Sequence, residues 1–202
     1  MKPSVAAIAV SSLLLAACAG SDERIIDSSG SKPGWVNSDR DAWTENEKNY
    51  FRSMVDRQLK LDLAMDRARM LSFRKINENV YTKVLSAFGE TTQGVSNDID
   101  NPSAGQEGGF IKRELALISK SVTLQGVTQE ASYWEKVRTI TRAGEDVVAY
   151  KAYSLVSIPA RNLVQAQKAA TQAGLTKLNS QLNQEAKESA TKALDSLKQE
   201  LE

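Results

Sequence analysis

The sequence contains no histidine and a single cysteine, and it is poor in proline and aromatic residues. Its 202 residues include four prolines, and aromatic side chains make up 6% of the chain. Without histidine the chain has no Ser-His-Asp triad, no Cys-His pair and no histidine-ligated zinc site. One cysteine allows neither an intramolecular disulfide nor a thiolate metal cluster. We therefore expect a protein that is not an enzyme and has no metal or cofactor.

Neither sign of charge dominates the composition. Lys and Arg total 26, Asp and Glu total 25, and the formal net charge is +1. Proteins that bind nucleic acid normally carry a basic excess, so we expect no nucleic-acid partner. The length, with 41% hydrophobic residues, suits one globular domain with appendages.

Residues 1–17 have the parts of a bacterial signal peptide. A positive charge at Lys2 precedes an apolar stretch that is shorter than the roughly 20 residues a bilayer-spanning helix needs. The motif Leu15-Ala16-Ala17-Cys18 resembles a lipobox, in which the signal peptide is removed and the cysteine thiol is lipidated. The alternative is an ordinary secretory signal peptide with an incidental cysteine. We interpret Cys18 as the lipidation site that anchors the chain to a membrane.

Residues 18–34 are small, polar and rich in Gly and Ser, which predicts a flexible tether behind the lipidated cysteine. Ordered structure is expected to begin at Trp35 or Trp43. Ala19 follows the cysteine. In Gram-negative lipoproteins an aspartate at that position favours retention in the inner membrane, so the resemblance implies the outer membrane, at its periplasmic face.

Residues 35–159 predict an α+β domain. Apolar residues at helical spacing predict a helix over 59–88, with Ala64 and Ala68 on the stripe that packs inward. Residues 90–109 predict a surface loop, in which a calcium site is not expected because the glycine and closing glutamate are misplaced. A short helix over 110–119 is expected to follow.

The next residues predict a small antiparallel sheet. Three strands are expected, at 122–127, 132–141 and 147–158, and together they would form a meander. Their order along the chain gives a sheet on which the preceding helix can pack.

Four aromatic residues fall on two of these adjacent strands. They are Tyr133, Trp134, Tyr150 and Tyr153. One interpretation is a groove that binds a small molecule or a glycan, and the other is ordinary cross-strand packing within the core.

Residues 160–202 predict one long amphipathic helix, because they contain a single glycine and no proline and are rich in helix formers. Such a helix would extend about 60 Å, which is longer than one small sheet can cover. Its apolar spacing does not follow a clean heptad, and the breaks in the pattern over 182–194 weaken a long coiled coil, although the Ala-rich stretches favour close packing. The outer half of the helix would pack on another helix, on another subunit, or on nothing. Of these we expect self-association of the helix, which predicts a homo-oligomer.

Several short motifs resemble the Lpp-twenty family of bacterial lipoproteins, which includes a flagellar outer-membrane lipoprotein. After the lipobox they are Pro33-Gly34-Trp35, the helix with alanines four apart, Leu124-Gln125-Gly126-Val127, Tyr133-Trp134 and the run from Tyr153 to Pro159. The resemblance covers about residues 33–159. It implies a helix on an antiparallel sheet, related in shape to the dodecin and SHS-two folds, and it carries over no catalytic residues.

The chain departs from that family in two places. The strand before the helix, usually rich in glycine, reads Tyr50-Phe51-Arg52-Ser53-Met54-Val55, and the C-terminal helix exceeds the minimal domain. Family members are envelope proteins, and some assemble into rings or disks around the flagellar motor. We expect an outer-membrane lipoprotein with a structural or assembly role, in contact with envelope or flagellar proteins. The alternative is a ligand-binding envelope lipoprotein that uses the aromatic groove.

Overall fold

The computed structural model describes residues 23–89, 102–140 and 144–202, and the side chains of the second range from residue 109 onward. These residues form an α+β fold with one antiparallel sheet and four α-helices. The strands are β1 (Glu23–Ser28), β2 (Ala42–Glu45), β3 (Lys48–Gln58), β4 (Thr128–Ile140) and β5 (Asp146–Pro159). The helices are α1 (Leu61–Ala87), α2 (Pro102–Ser121), α3 (Ala160–Leu178) and α4 (Gln184–Gln199).

The sheet has five strands in the order β1-β4-β5-β3-β2. The hairpin of β4 and β5 confirms two of the predicted strands, but the three-stranded meander is wrong. Residues 122–127 form no strand and instead connect α2 to β4. In that connection Gly126 has a φ of +71° and lies against Pro159 and Asn162, so the glycine serves a close approach rather than a strand.

The predicted flexible tether is wrong for residues 23–28, which form β1. Glu23 pairs with Thr139 and Arg24 with Arg138, and the strand continues to Ser28 opposite Glu135. Pairing of this kind uses backbone hydrogen bonds along an exposed strand, so it needs little apolar surface from β1 itself. The α+β domain therefore includes β1 and does not begin only at residue 35.

Residues 29–41, which we name the crossover segment, carry the chain from β1 at one edge of the sheet to β2 at the other. A 3-10 helix at Gly34–Asn37 places Val36 against the sheet, where it is buried with Tyr133 and Tyr153. The α-helices pack on the opposite face. We name the two sides the crossover face and the helix face.

The long helix before β4 is confirmed as α1, and its buried side is made of residues four apart. They are Ala64, Ala68, Ser72, Ile76, Val80 and Val84, followed by Phe88 just beyond the helix. Because an α-helix has 3.6 residues per turn, a four-residue spacing rotates the buried position by about 40° each turn. The start of α1 thus packs on the sheet through Ala64 and Ala68, and its end joins the core formed with α2 and α3.

The predicted surface loop over 90–109 is wrong from residue 102 onward, because α2 begins at Pro102; its first part, 90–101, lies outside the described residues. Proline is well suited to the first position of a helix, where its missing N–H is not needed. The predicted short helix at 110–119 is therefore the second half of α2. Its residues Ile111, Leu115 and Ile118 are buried in the main core.

The single C-terminal helix of about 40 residues is also wrong. The chain turns after Leu178, and α4 begins at Gln184, directly after the capping residue Asn183, whose side chain accepts a 2.8 Å hydrogen bond from the backbone N–H of Ala186. Asparagine favours such helix starts and is a weak former of helix interiors. The two helices pack within the domain, with Leu178, Leu182, Ala186 and Ala190 buried in the main core.

Candidate functional site

The predicted lipidation site, Cys18, lies outside the described residues. The nearest described residue is Glu23, the first residue of β1. Four residues, 19–22, therefore separate the cysteine from the folded sheet.

The structure does not bring the four predicted aromatic residues into one groove. Trp134 and Tyr150 lie on the helix face, edge to face with centroids 6.0 Å apart, packed near Ala64 of α1. Tyr133 and Tyr153 lie on the crossover face, with ring centroids 5.9 Å apart. Successive residues of a strand point to opposite faces, so Tyr133 and Trp134 cannot line the same surface. The two pairs are cross-strand packing on separate sides of the sheet.

The crossover face contains a nearly buried carboxylate that holds the crossover segment down. The Glu135 side chain on β4 is 3% exposed, and its Oε1 lies 2.9 Å from Nζ of Lys32 in the crossover segment. Nζ of Lys32 also lies 5.7 Å from the centre of the Tyr153 ring. A buried carboxylate is costly without a partner of opposite charge, so Lys32 offsets the cost of burying Glu135 at the place where the crossover segment passes over β4.

The same surroundings change the acidity of Tyr153. Burial and then the negative charge of Glu135 raise the pKa of its phenol to about 12. Both causes disfavour the tyrosinate. Tyr153 therefore stays neutral and acts as a packing residue, not as a base.

A second set of contacts fixes the far end of the crossover segment. Arg52 on β3 donates a 2.6 Å hydrogen bond to the Val36 carbonyl and a 3.1 Å bond to Asp41. Lys75 on α1 lies 2.9 Å from the other oxygen of Asp41. The hydrogen bond from Lys75, followed by that from Arg52, lowers the pKa of Asp41. Two cations from different elements thus hold one carboxylate at the end of the crossover segment.

Three serines that were not predicted as functional meet where α1 crosses the sheet. Ser53 of β3 and Ser72 of α1 have their hydroxyl oxygens 2.7 Å apart, and Ser72 also lies 3.1 Å from the Ser154 carbonyl. Ser53 Oγ contacts the Ala68 carbonyl as well. Because these two hydroxyls carry only two protons, at most two of the three contacts are hydrogen bonds at any one time, and the buried hydroxyl of Ser154 has no hydrogen-bond partner among the described residues. The signal was present in the sequence, since Ser72 falls between Ala68 and Ile76 in the four-residue series.

The described residues contain no group of three or more acidic or cysteine side chains placed to hold a metal ion. None of the helices in residues 23–89, 102–140 and 144–202 has the length and apolar character needed to span a bilayer. The chain matches no family model, no curated protein and no solved structure.

Proposed function

We propose that the chain is a bacterial lipoprotein, anchored by acyl chains on Cys18 to the periplasmic face of the outer membrane, with a structural or assembly role in the envelope. One observation carries the proposal. The only cysteine of the chain ends a short apolar N-terminal stretch in the motif Leu15-Ala16-Ala17-Cys18. Each buried methylene of an acyl chain contributes about 0.8 kcal/mol of membrane affinity, so several acyl chains carried by one cysteine residue give stable anchoring.

The arrangement of β3, α1, β4 and β5 supports a finer proposal for the fold. A helix follows a strand and packs on the antiparallel sheet that the later hairpin completes. This is the arrangement that the resemblance to the Lpp-twenty family implies, and we propose a dodecin- or SHS-two-like unit at the centre of the domain. We include in this proposal that the chain contacts envelope or flagellar proteins, as the resemblance to that family implies.

The assembly role needs a surface for protein contacts, and the outer sides of α1 and α2 offer one. Met70 on α1 and Leu117 on α2 are 69% and 52% exposed. Phe110 and Leu71 on the same two helices are also exposed. Large apolar side chains that remain in water on a folded domain often mark sites of protein contact. We propose that these helices, and not α3 and α4, make the contacts of a homo-oligomer or with envelope proteins.

The anchor is tested by expressing the full chain and its Cys18→Ser variant in a Gram-negative bacterium. We expect the native chain to fractionate with the outer membrane and to have an intact mass that includes acyl chains on residue 18. The serine variant should carry no acyl mass and should leave the outer-membrane fraction. An unmodified thiol in the native chain would contradict the lipoprotein proposal.

The assembly role is tested by light scattering on the soluble chain from residue 19 onward. We expect a discrete oligomer that Leu117→Glu dissolves, while Lys112→Glu, at another exposed position of α2, leaves it intact. A strict monomer at high concentration that captures no envelope protein would contradict this role.

A further inference from the structure

The short connection between Cys18 and β1 limits how far the sheet can stand from the membrane. This inference rests on the proposed lipidation of Cys18. Five Cα–Cα steps join Cys18 to Glu23, so even a fully extended chain separates the two Cα atoms by at most about 18 Å. A lipid on Cys18 would therefore hold the first residue of β1 close to the headgroups.

Several chain segments meet at the end of the sheet where β1 begins, and we name this region the anchored end. Glu23 pairs with Thr139 near the end of β4, and Ile140 pairs with Asp146 at the start of β5. Because β3 is antiparallel to β5, β3 also ends on this side, and α1 starts there.

The anchored end exposes large apolar side chains from four different segments. Leu59, between β3 and α1, is 76% exposed, and Ile140 at the end of β4 is 54% exposed. Leu63 on the first turn of α1 and Val147 on β5 are exposed as well. All four lie outside the core clusters, and it is their grouping at one end of the domain that suggests a contact surface.

This end carries charges of both signs, and two of its arginines face each other across neighbouring strands. Arg24 of β1 lies directly opposite Arg138 of β4, although like charges across two strands repel. Asp146 compensates Arg138 at 3.3 Å. Anionic headgroups next to the sheet edge would lower the repulsion between the two arginines.

We propose that the anchored end lies in the lipid interface, with Leu59, Leu63, Ile140 and Val147 in contact with the bilayer. The strands then extend away from the membrane surface, with the crossover segment on one face of the sheet and the helices on the other. The short connection favours the bilayer over a second copy of the chain as the partner of these side chains. It keeps the lipid at a high effective concentration next to them, whereas a second copy has to arrive by diffusion.

The experiment uses the full lipidated chain reconstituted in vesicles of phosphatidylethanolamine and phosphatidylglycerol, with a spin-labelled lipid as the quencher. Ile140→Cys carries an environment-sensitive fluorophore. Thr128→Cys is the matched control, because Thr128 is exposed and begins the same strand at its opposite end, away from the anchored end and from the proposed contact surface of α1 and α2. We expect the label at 140 to be quenched about twofold or more relative to the label at 128, since interfacial side chains lie within the headgroup region.

The outcomes separate this inference from the proposed function. Equal quenching at both positions in a chain whose mass shows acylated Cys18 would overturn the orientation and leave the lipoprotein proposal standing. A chain without acyl mass would overturn both. If, in the unlipidated chain from residue 19 and without vesicles, the label at 140 becomes shielded with rising protein concentration, a second copy covers the anchored end, and the lipid contact is refuted.

Discussion

Gly174 is the position at which helix propensity and core packing make opposite predictions. It lies on α3, in the main core between the end of α1 and α2. A Cβ placed there would be 2.8 Å from Cζ of Phe88 and 2.9 Å from Cδ2 of Leu115. Phe88 and Leu115 are both fully buried, so neither side chain can move into solvent to make room.

The two effects of Gly174→Ala can be weighed against each other. Replacing glycine by alanine inside a helix stabilises it by about 0.8–1 kcal/mol. Forcing a methyl group into a well-packed core costs about 1–3 kcal/mol. Because both contacts are closer than 3 Å, we expect the packing cost to exceed the gain and the free energy of unfolding to fall by up to about 2 kcal/mol.

Gly109→Ala is the matched control, because Gly109 is also inside a helix but has no atom within 4 Å of the position that a Cβ would take. That variant should gain the full helix term of about 0.8–1 kcal/mol. Urea unfolding of the chain from residue 19, followed by circular dichroism, measures both changes in free energy. In thermal unfolding, each kcal/mol would shift the Tm by roughly 2–4 °C. A gain in stability at both positions would refute the packing that the structure shows around Gly174.

Three further predictions concern the crossover segment and the first hairpin. Tyr153 should titrate last among the tyrosines in absorbance at 295 nm, with a pKa of about 12, and Tyr153→Phe should remove that step. Because the folded state keeps this proton while an unfolded tyrosine loses it near pH 10, stability should fall as pH rises from about 10 to 12. Lys32→Met should cost about 1–3 kcal/mol in urea unfolding, because the lysine is itself 36% exposed, and Glu135→Gln less, since only the first leaves a buried carboxylate unpaired. Glu47→Gly should raise the unfolding free energy by about 0.5–1 kcal/mol, because Glu47 has a φ of 59° in the turn between β2 and β3; thermal unfolding that shows a loss would contradict this.

The parts of the fold that periodicity could predict are those in which one long pattern decides the structure. α1 was predicted within two residues of its start and one of its end, because its inward positions recur every fourth residue over seven turns. The β4–β5 hairpin was predicted from β-branched and aromatic runs bounded by turn residues.

The parts that sequence reasoning missed depend on local signals or on a partner elsewhere in the chain. The break between α3 and α4 contains no glycine or proline, and only short polar residues mark it, with Asn179 at the end of α3 and Asn183 capping α4. β1 has a polar sequence and becomes a strand because β4 offers it an edge. Such pairing with residues more than a hundred positions away is not visible in a local composition.

The candidate groove could have been corrected from the sequence itself. Tyr133 and Trp134 are consecutive in a predicted strand, and the alternation of side chains already assigns them to opposite faces. The identity of those faces could not be predicted, because it depends on the crossover segment covering Tyr133 and Tyr153. Glu135 was likewise invisible as a buried residue, since its partner Lys32 lies in the segment expected to be a flexible tether.

The C-terminal residues change how assembly has to be tested. A single projecting helix could be removed without harm, and loss of an oligomer would then identify it as the contact. In the observed fold, Leu163 and Leu178 of α3 are buried against Val84 and Phe88 at the end of α1 and Leu115 of α2. Deleting residues 160–202 would expose this core, so any association of the shortened chain would reflect exposed apolar surface and not a native contact. Substitutions at exposed positions such as Leu117 leave the core intact, and they alone distinguish an assembly surface from a folding defect.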